Sequence, residues 1–143
     1  MATKTASSKI ILCLHGWRTN SHVMRTQCQD LFDHCGSEYE VKYIDAPHNA
    51  KGPAQEAVEL AFPSAAIHGW KEWYDYIKPE ENEGGSDLYE GLETSLEYVE
   101  SEVERIKPYA LCGFSQGGTI ASIIAKKYQD KGEQCAQKLL MFW

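Results

Sequence analysis

The sequence predicts an α/β domain, a mostly parallel sheet with helices on both faces. Three observations carry that expectation. Short apolar runs alternate with segments of helical spacing along the chain, the pattern that strands joined by crossover helices produce. The first three apolar runs end in turn signals: Gly16, Pro47, and the stretch Gly113-Phe114-Ser115-Gln116-Gly117. The length, 143 residues, suits one domain that buries about two-thirds of its unfolded surface.

In chain order, residues 9–15, KIILCLH, read as a buried strand ended by Gly16. The stretch NSHVMRTQCQDLFDHCG sets Val23, Met24, Cys28, Leu31, Phe32 and Cys35 at helical spacing. Asn20 or Ser21 caps that helix and Gly36 ends it. YEVKYIDAP is a second strand, stopped by Pro47. Residues 46–85 hold four prolines and four glycines, which break any long element, and Trp70, Trp73, Tyr74 and Tyr76 crowd together there. A connection of that length predicts a lid or binding loop with room for a short helix. Next comes a helix with Ser86 or Asp87 as cap, Glu90 completing a capping box, and Leu88, Leu92, Leu96, Val99, Val103 and Ile106 as its stripe. Pro108 closes it. A strand over 109–114, a turn, a helix from 116 to 130 and a last apolar run, KLLMFW, complete the chain.

Composition narrows the function classes. Hydrophobic residues make up 43% and aromatics 11%, which excludes a disordered chain. The start, MATKTASSK, has no apolar core of signal-peptide length, and no run approaches a membrane span. The expected location is therefore cytoplasmic or nuclear, with no membrane partner. Five cysteines, an odd number with no C-x-x-C pair, argue against a disulfide framework or a zinc site. Cys13 and Cys112 lie in strand-like runs, where cysteine acts as a small hydrophobe. The net charge of −7 comes from ten acidic residues between Glu80 and Glu104; the remainder carries +3. That acidity reads as one solvated face, and nothing forms a nucleic-acid footprint.

The chemistry concentrates at Ser115. The sheet topology brings HGWRTN, DAP and GFSQGG to the carboxyl ends of successive strands, where sites in such sheets lie. Gly113 and Gly117 flank Ser115 because side chains there would collide as strand and helix converge. The backbone N–H of Gln116 and that of Trp17, in the loop after the first strand, are the expected oxyanion donors. A phosphate loop is excluded: Gly113 to Gly118 fits G-x-x-x-x-G, but Thr119 stands where the lysine must be.

Taken together, LCLHGWRTN, YIDAP, WKEWYDY, DLYEGLETSLEYVE and GFSQGG resemble the FSH group ("family of serine hydrolases") within the α/β-hydrolase superfamily, over nearly the whole chain. The resemblance implies a three-layer α/β-hydrolase fold and a cytoplasmic carboxylesterase-like enzyme that cleaves a small-molecule acyl ester without metal or cofactor. Ser115 would be the nucleophile, and His15 would hold a structural place beside the oxyanion loop, at the margin of the substrate pocket. Trp70, Trp73 and Tyr74 would line an acyl pocket or form core beneath the loop. Arg18 reads as a solvated arginine, or as a group orienting a polar part of the substrate.

The departure from the family pattern is the base. In this superfamily the order is Ser, then Asp or Glu, then His, yet no histidine follows Ser115, and only Asp130 and Glu133 follow it as acids. His22 and His34 fall on a helix as surface residues; His48 and His68, in the long loop, are the candidates for a recruited base. The chain thus reads as a single but incomplete domain over 1–143, lacking its carboxyl-terminal strands, with KLLMFW as an exposed edge open to self-association. Two functions follow as expectations: a serine hydrolase whose base lies elsewhere, or a catalytically inactive hydrolase-like module that binds a partner or ligand.

Overall fold

A computed structural model describes residues 8–143; the polar start, residues 1–7, lies outside them. The elements in order are β1 (Lys9–Leu14), α1 (Ser21–Asp33), β2 (Tyr39–Ile44), β3 (His48–Asn49), α2 (Glu56–Ala61), β4 (Lys71–Glu72), β5 (Asp75–Ile77), β6 (Leu88–Glu90), α3 (Leu92–Ile106), β7 (Ala110–Phe114), α4 (Gln116–Asp130) and β8 (Lys138–Phe142). The main sheet has the order β2-β1-β7-β8, and every neighbouring pair in it is parallel. No helix among the described residues is long and apolar enough to cross a membrane.

Period-two alternation divides the core. Ile11, Cys13, Ala110 and Cys112 face α1 and pack on Met24, Cys28 and Phe32. Leu12, Leu14 and Leu111 face the other way, onto Leu96, Val99 and Val103 of α3 and Ile120, Ile124 and Tyr128 of α4. The sheet therefore carries helices on both faces, as the strand–helix alternation predicts. Cys13 and Cys112 are fully buried in this packing and all five thiols are free. Burial also pushes the Cys28 thiol up to about 11, so the thiol beside them packs as an uncharged hydrophobe.

Asn20 caps α1 as expected, its Oδ1 accepting from Val23 N–H at 3.0 Å. The same side chain does more. Its Nδ2 donates to Ala65 O at 2.9 Å and Gly69 O at 3.0 Å, which ties the 46–85 segment to the start of α1. That segment is largely structured: it contains α2, a 3-10 turn over Pro63–His68, and the β3–β4 pair. Lys71 N–H donates to Thr19 O at 2.8 Å, anchoring it again.

Two expectations are corrected. The third long helix does not begin at Ser86 or Asp87 with a Glu90 capping box. Residues 88–90 instead form β6 and pair antiparallel with β5, Ile77 opposite Leu88. The helix starts after Gly91, whose φ of 85° turns the chain in a way a side chain resists. Leu88 consequently leaves the helical stripe and is exposed. Leu31 and Cys35 likewise point away from the core; Cys28 and Phe32 fill it. The last apolar run does form an edge strand, with Leu139, Leu140, Met141 and Phe142 exposed.

Candidate active site

β7 delivers the chain into a tight turn and α4 leaves from it. Ser115 sits between them at φ 52° and ψ −115°, a backbone conformation that costs a non-glycine residue about 1–3 kcal/mol. Its N–H donates to Phe142 O at 2.7 Å, so β8 braces the turn. The flanking glycines are steric requirements. A Cβ on Gly113 would stand 2.4 Å from Gly117 O, and one on Gly117 would stand 2.2 Å from Leu14 O. Gly118 is under less pressure, its Cβ position lying 3.3 Å from Gly113 O.

Opposite the turn lies the loop that follows β1. His15 is fully buried. Ala46 N–H donates to its Nε2 at 2.9 Å, which requires the proton to sit on Nδ1, and Nδ1–H donates to Gly16 O at 2.7 Å. Thr19 Oγ1 also donates to Gly16 O, at 2.9 Å. Both ring nitrogens are committed, so His15 splices the ends of β1 and β2 and does not reach the cavity described below. Burial pushes its pKa down to about 4.

That shift predicts an acid sensitivity. The unfolded chain binds the imidazole proton from pH 6.5 downward, whereas the folded chain refuses it until about pH 4. Stability from this group is therefore complete above pH 6.5 and declines as pH falls, by as much as about 3 kcal/mol. Urea midpoints measured between pH 7 and 4 should fall, beginning above the carboxylate range. A flat profile from pH 7 to 5 contradicts the buried neutral imidazole.

An open cavity of about 440 Å³ adjoins Ser115, lined by Trp17, Tyr74, Asp75, Tyr76, Ser115, Gln116, Thr119 and Trp143. Of the residues the sequence offers for a pocket, Tyr74 lines it. Trp73 does not: it is fully buried, its indole Nε1–H donating to His15 O at 2.8 Å and its ring 5.3 Å from the imidazole. The aromatic cluster thus divides, Trp73 to the core and Tyr74 and Tyr76 to the cavity. Trp70 is half-buried and accepts Ala50 N–H at 2.9 Å, away from the cavity lining. Tyr89 backs the wall, stacked on Tyr76 at 5.2 Å and edge-on to Tyr74 at 5.7 Å.

The histidines are elsewhere. His48 Nε2–H donates to Gly91 O at 2.9 Å, and His68 stacks on His22 at 4.9 Å. Among the described residues no histidine lines the cavity, and no group of three His, Cys, Asp or Glu side chains could hold a metal ion.

Arg18 fits neither reading the sequence allowed. Its Nε donates to Glu72 Oε2 at 3.3 Å, and Glu72 is 2% exposed. The guanidinium lies 4.3 Å over the Trp17 ring, and a Cβ on Gly52 would stand 2.2 Å from it. Arg18 therefore pins the loop that carries Trp17. Sequence reasoning also missed the Gln116 side chain, whose Oε1 accepts Trp73 N–H and whose Nε2 donates to Tyr74 O, each at 2.8 Å. No local pattern announces these contacts, because the partners lie 54 residues from Arg18 and 43 and 42 residues from Gln116.

A parallel sheet covered by helices, with a strained serine turn at its carboxyl edge, defines a protein of the α/β-hydrolase class. The chain belongs to the serine hydrolase (FSH1) family, whose model matches residues 3–143, in agreement with the motif resemblance. It is 26% identical over 133 residues to Esterase OVCA2 of Danio rerio, covering 86% of this chain and 58% of that protein. It is 30% identical over 121 residues to Hydrolase FUB4 of Fusarium oxysporum f. sp. lycopersici, 82% of this chain and 39% of that one. Against Esterase claE of Penicillium crustosum it is 28% identical over 122 residues, 83% and 45% respectively. The chain thus spans between 39% and 58% of the length of these relatives.

Proposed function

We propose that the chain presents the nucleophilic half of a serine esterase site, with Ser115 on a nucleophile elbow. The observation that carries this reading is the backbone of Ser115, φ 52° and ψ −115°, at the rim of the aromatic cavity. Strain of that kind in a non-glycine residue concentrates at reacting centres. In the reaction, Ser115 Oγ attacks the acyl carbonyl of a small-molecule ester and its proton passes to a base. The carbonyl oxygen takes the negative charge, and the backbone N–H groups of Trp17 and Gln116 donate to it. Collapse breaks the ester C–O bond and the alcohol leaves with the proton; water then repeats the sequence, freeing the acid and Ser115. Each oxyanion donor is worth about 10²–10³ in rate. The scheme uses no metal or cofactor. Five free thiols suit a reducing compartment, and a cytoplasmic or nuclear location goes with this reading.

No histidine lines the cavity among the described residues, and its one side-chain carboxylate, Asp75, is paired with Lys51 at 3.5 Å; that favours a second reading, a module that holds an acyl ligand without turnover. A fluorophosphonate probe separates the two. Labelling is expected at Ser115, absent in Ser115→Ala, with a rate that climbs steadily with pH because hydroxide must generate the alkoxide. An inflection between pH 6 and 8 would instead report a histidine recruited as base. A folded chain that takes no label sinks the esterase reading and leaves the binding module.

One further element of this reading is self-association of two copies through β8. Leu139, Leu140, Met141 and Phe142 are apolar and exposed, and Lys138 at the start of the strand is the one charge it carries to guard that edge. Sedimentation equilibrium should show a dimer that Leu140→Lys returns to monomer; a monomer at all concentrations contradicts it.

A further inference from the structure

Gln116 is asked for two different things by one residue. Its backbone N–H opens α4 beside the cavity, while its side chain, 8% exposed, turns the other way and closes on the backbone of residues 73 and 74. The carboxamide meets a donor, Trp73 N–H, with its oxygen and an acceptor, Tyr74 O, with its nitrogen, both at 2.8 Å. Reversing the amide would set donor against donor and acceptor against acceptor, so the pairing has one orientation. An ionised glutamate supplies no donor and an aliphatic chain supplies neither group.

The peptide that Gln116 grips is also held from other directions. Trp73 O accepts from Ser95 Oγ on α3, and the Trp73 indole donates to His15 O at the end of β1. Tyr74, the next residue, lines the cavity, and Tyr76 follows it on β5. The position of that aromatic wall is therefore indexed to the residue immediately after Ser115 and to no other polar side chain of the turn.

We propose that the Gln116 carboxamide is a positioning residue that latches the Trp73–Tyr74 backbone to the serine turn, and that this latch makes the site favour aromatic acyl groups seated against Tyr74 and Tyr76. The substrate preference rests on the reading of Ser115 as nucleophile; the latch itself does not. The carboxamide acts through Tyr74 and need not touch the reacting atoms. Truncating it leaves the oxyanion donor, its own N–H, in place.

The full chain tests this with two variants and two readouts. In Gln116→Met, hydrogen exchange at Trp73 N–H should accelerate about tenfold or more, the loss expected when a buried amide forfeits its acceptor. The ratio of Ser115 labelling rates for a phenyl-bearing and a methyl-bearing fluorophosphonate should fall toward one. Gln116→Glu serves where Gln116→Met folds poorly. Its deficit in Tm relative to wild type should narrow from pH 8 to pH 5, as the protonated acid regains a donor for Tyr74 O. Unchanged Trp73 protection together with an unchanged probe ratio overturns the proposal. A wild-type chain that takes neither probe overturns the esterase reading and the aromatic preference, and the exchange rate at Trp73 then decides the latch alone.

Discussion

Gly117→Ala should destabilise the protein by about 2–3 kcal/mol, the upper part of the ~1–3 kcal/mol that forcing an added carbon into a filled space costs, and lower Tm by roughly 6–10 °C. The added carbon would lie 2.2 Å from Leu14 O and 2.4 Å from His15 O. These are backbone atoms at the end of β1, and a backbone carbonyl cannot swing aside as a flexible side-chain tip can. The helix must instead retreat from the sheet, dragging Ser115 with it. Alanine's better helix propensity returns only about 1 kcal/mol. Gly118→Ala is the matched control. It gains the same propensity while meeting Gly113 O at 3.3 Å, so it should leave stability within about 1 kcal/mol of wild type. Thermal melts of the two variants give the comparison. Equal melting points would mean that the strand–helix approach is looser than these contacts require.

Glu72→Leu is the second large effect. Its carboxylate is 2% exposed and pairs with Arg18, itself 18% exposed; Oε1 also accepts Lys51 N–H at 3.3 Å. Removing the acid leaves a largely desolvated guanidinium without a counter-charge. A fully buried partner would lose 3–5 kcal/mol; because Arg18 retains some solvent, about 2–4 kcal/mol is expected here. The Arg18→Met, Glu72→Leu double variant should recover part of that loss, since an apolar pair has no charge to strand. Urea midpoints across the four-member cycle measure it. If the double variant is no more stable than Glu72→Leu alone, the cost comes from packing or the Lys51 contact and the ion pair is incidental. The pair also has a functional consequence. Arg18 occupies φ 50° immediately after Trp17, so releasing its guanidinium loosens the loop that carries the proposed second oxyanion donor, and Ser115 labelling should slow with it.

The elements that sequence patterning located well are those whose information is local. β1, α1, β2, β7 and α4 each carry their own period and their own terminator: Gly16, the Asn20 cap, Pro47, and the glycines around Ser115. The start of the helix after residue 85 is not legible locally, because Leu88 keeps helical phase with Leu92 while also fitting a strand. Gly91 and the facing strand Asp75–Ile77 decide between these, and only the glycine is local. The aromatic cluster shows the same limit. Trp73 and Tyr74 are neighbours with similar composition around them, yet one is core and the other cavity wall. Side chains of adjacent residues here take opposite directions, and the indole finds His15 O while the phenol ring does not.

Chain-local chemistry therefore determined a great deal about this protein: an α/β class and a serine held on a strained turn between glycines. Period and steric crowding act over a few residues, and a linear reading captures them. Three-dimensional closure assigned the rest. His15 became a neutral splice to Ala46, Arg18 a partner for Glu72, and Gln116 a clasp on Trp73 and Tyr74. Each of those roles joins residues 31 to 54 positions apart, and a buried polar group takes whichever partner the packed fold sets beside it, because leaving it unpaired away from water costs more than any local preference can return.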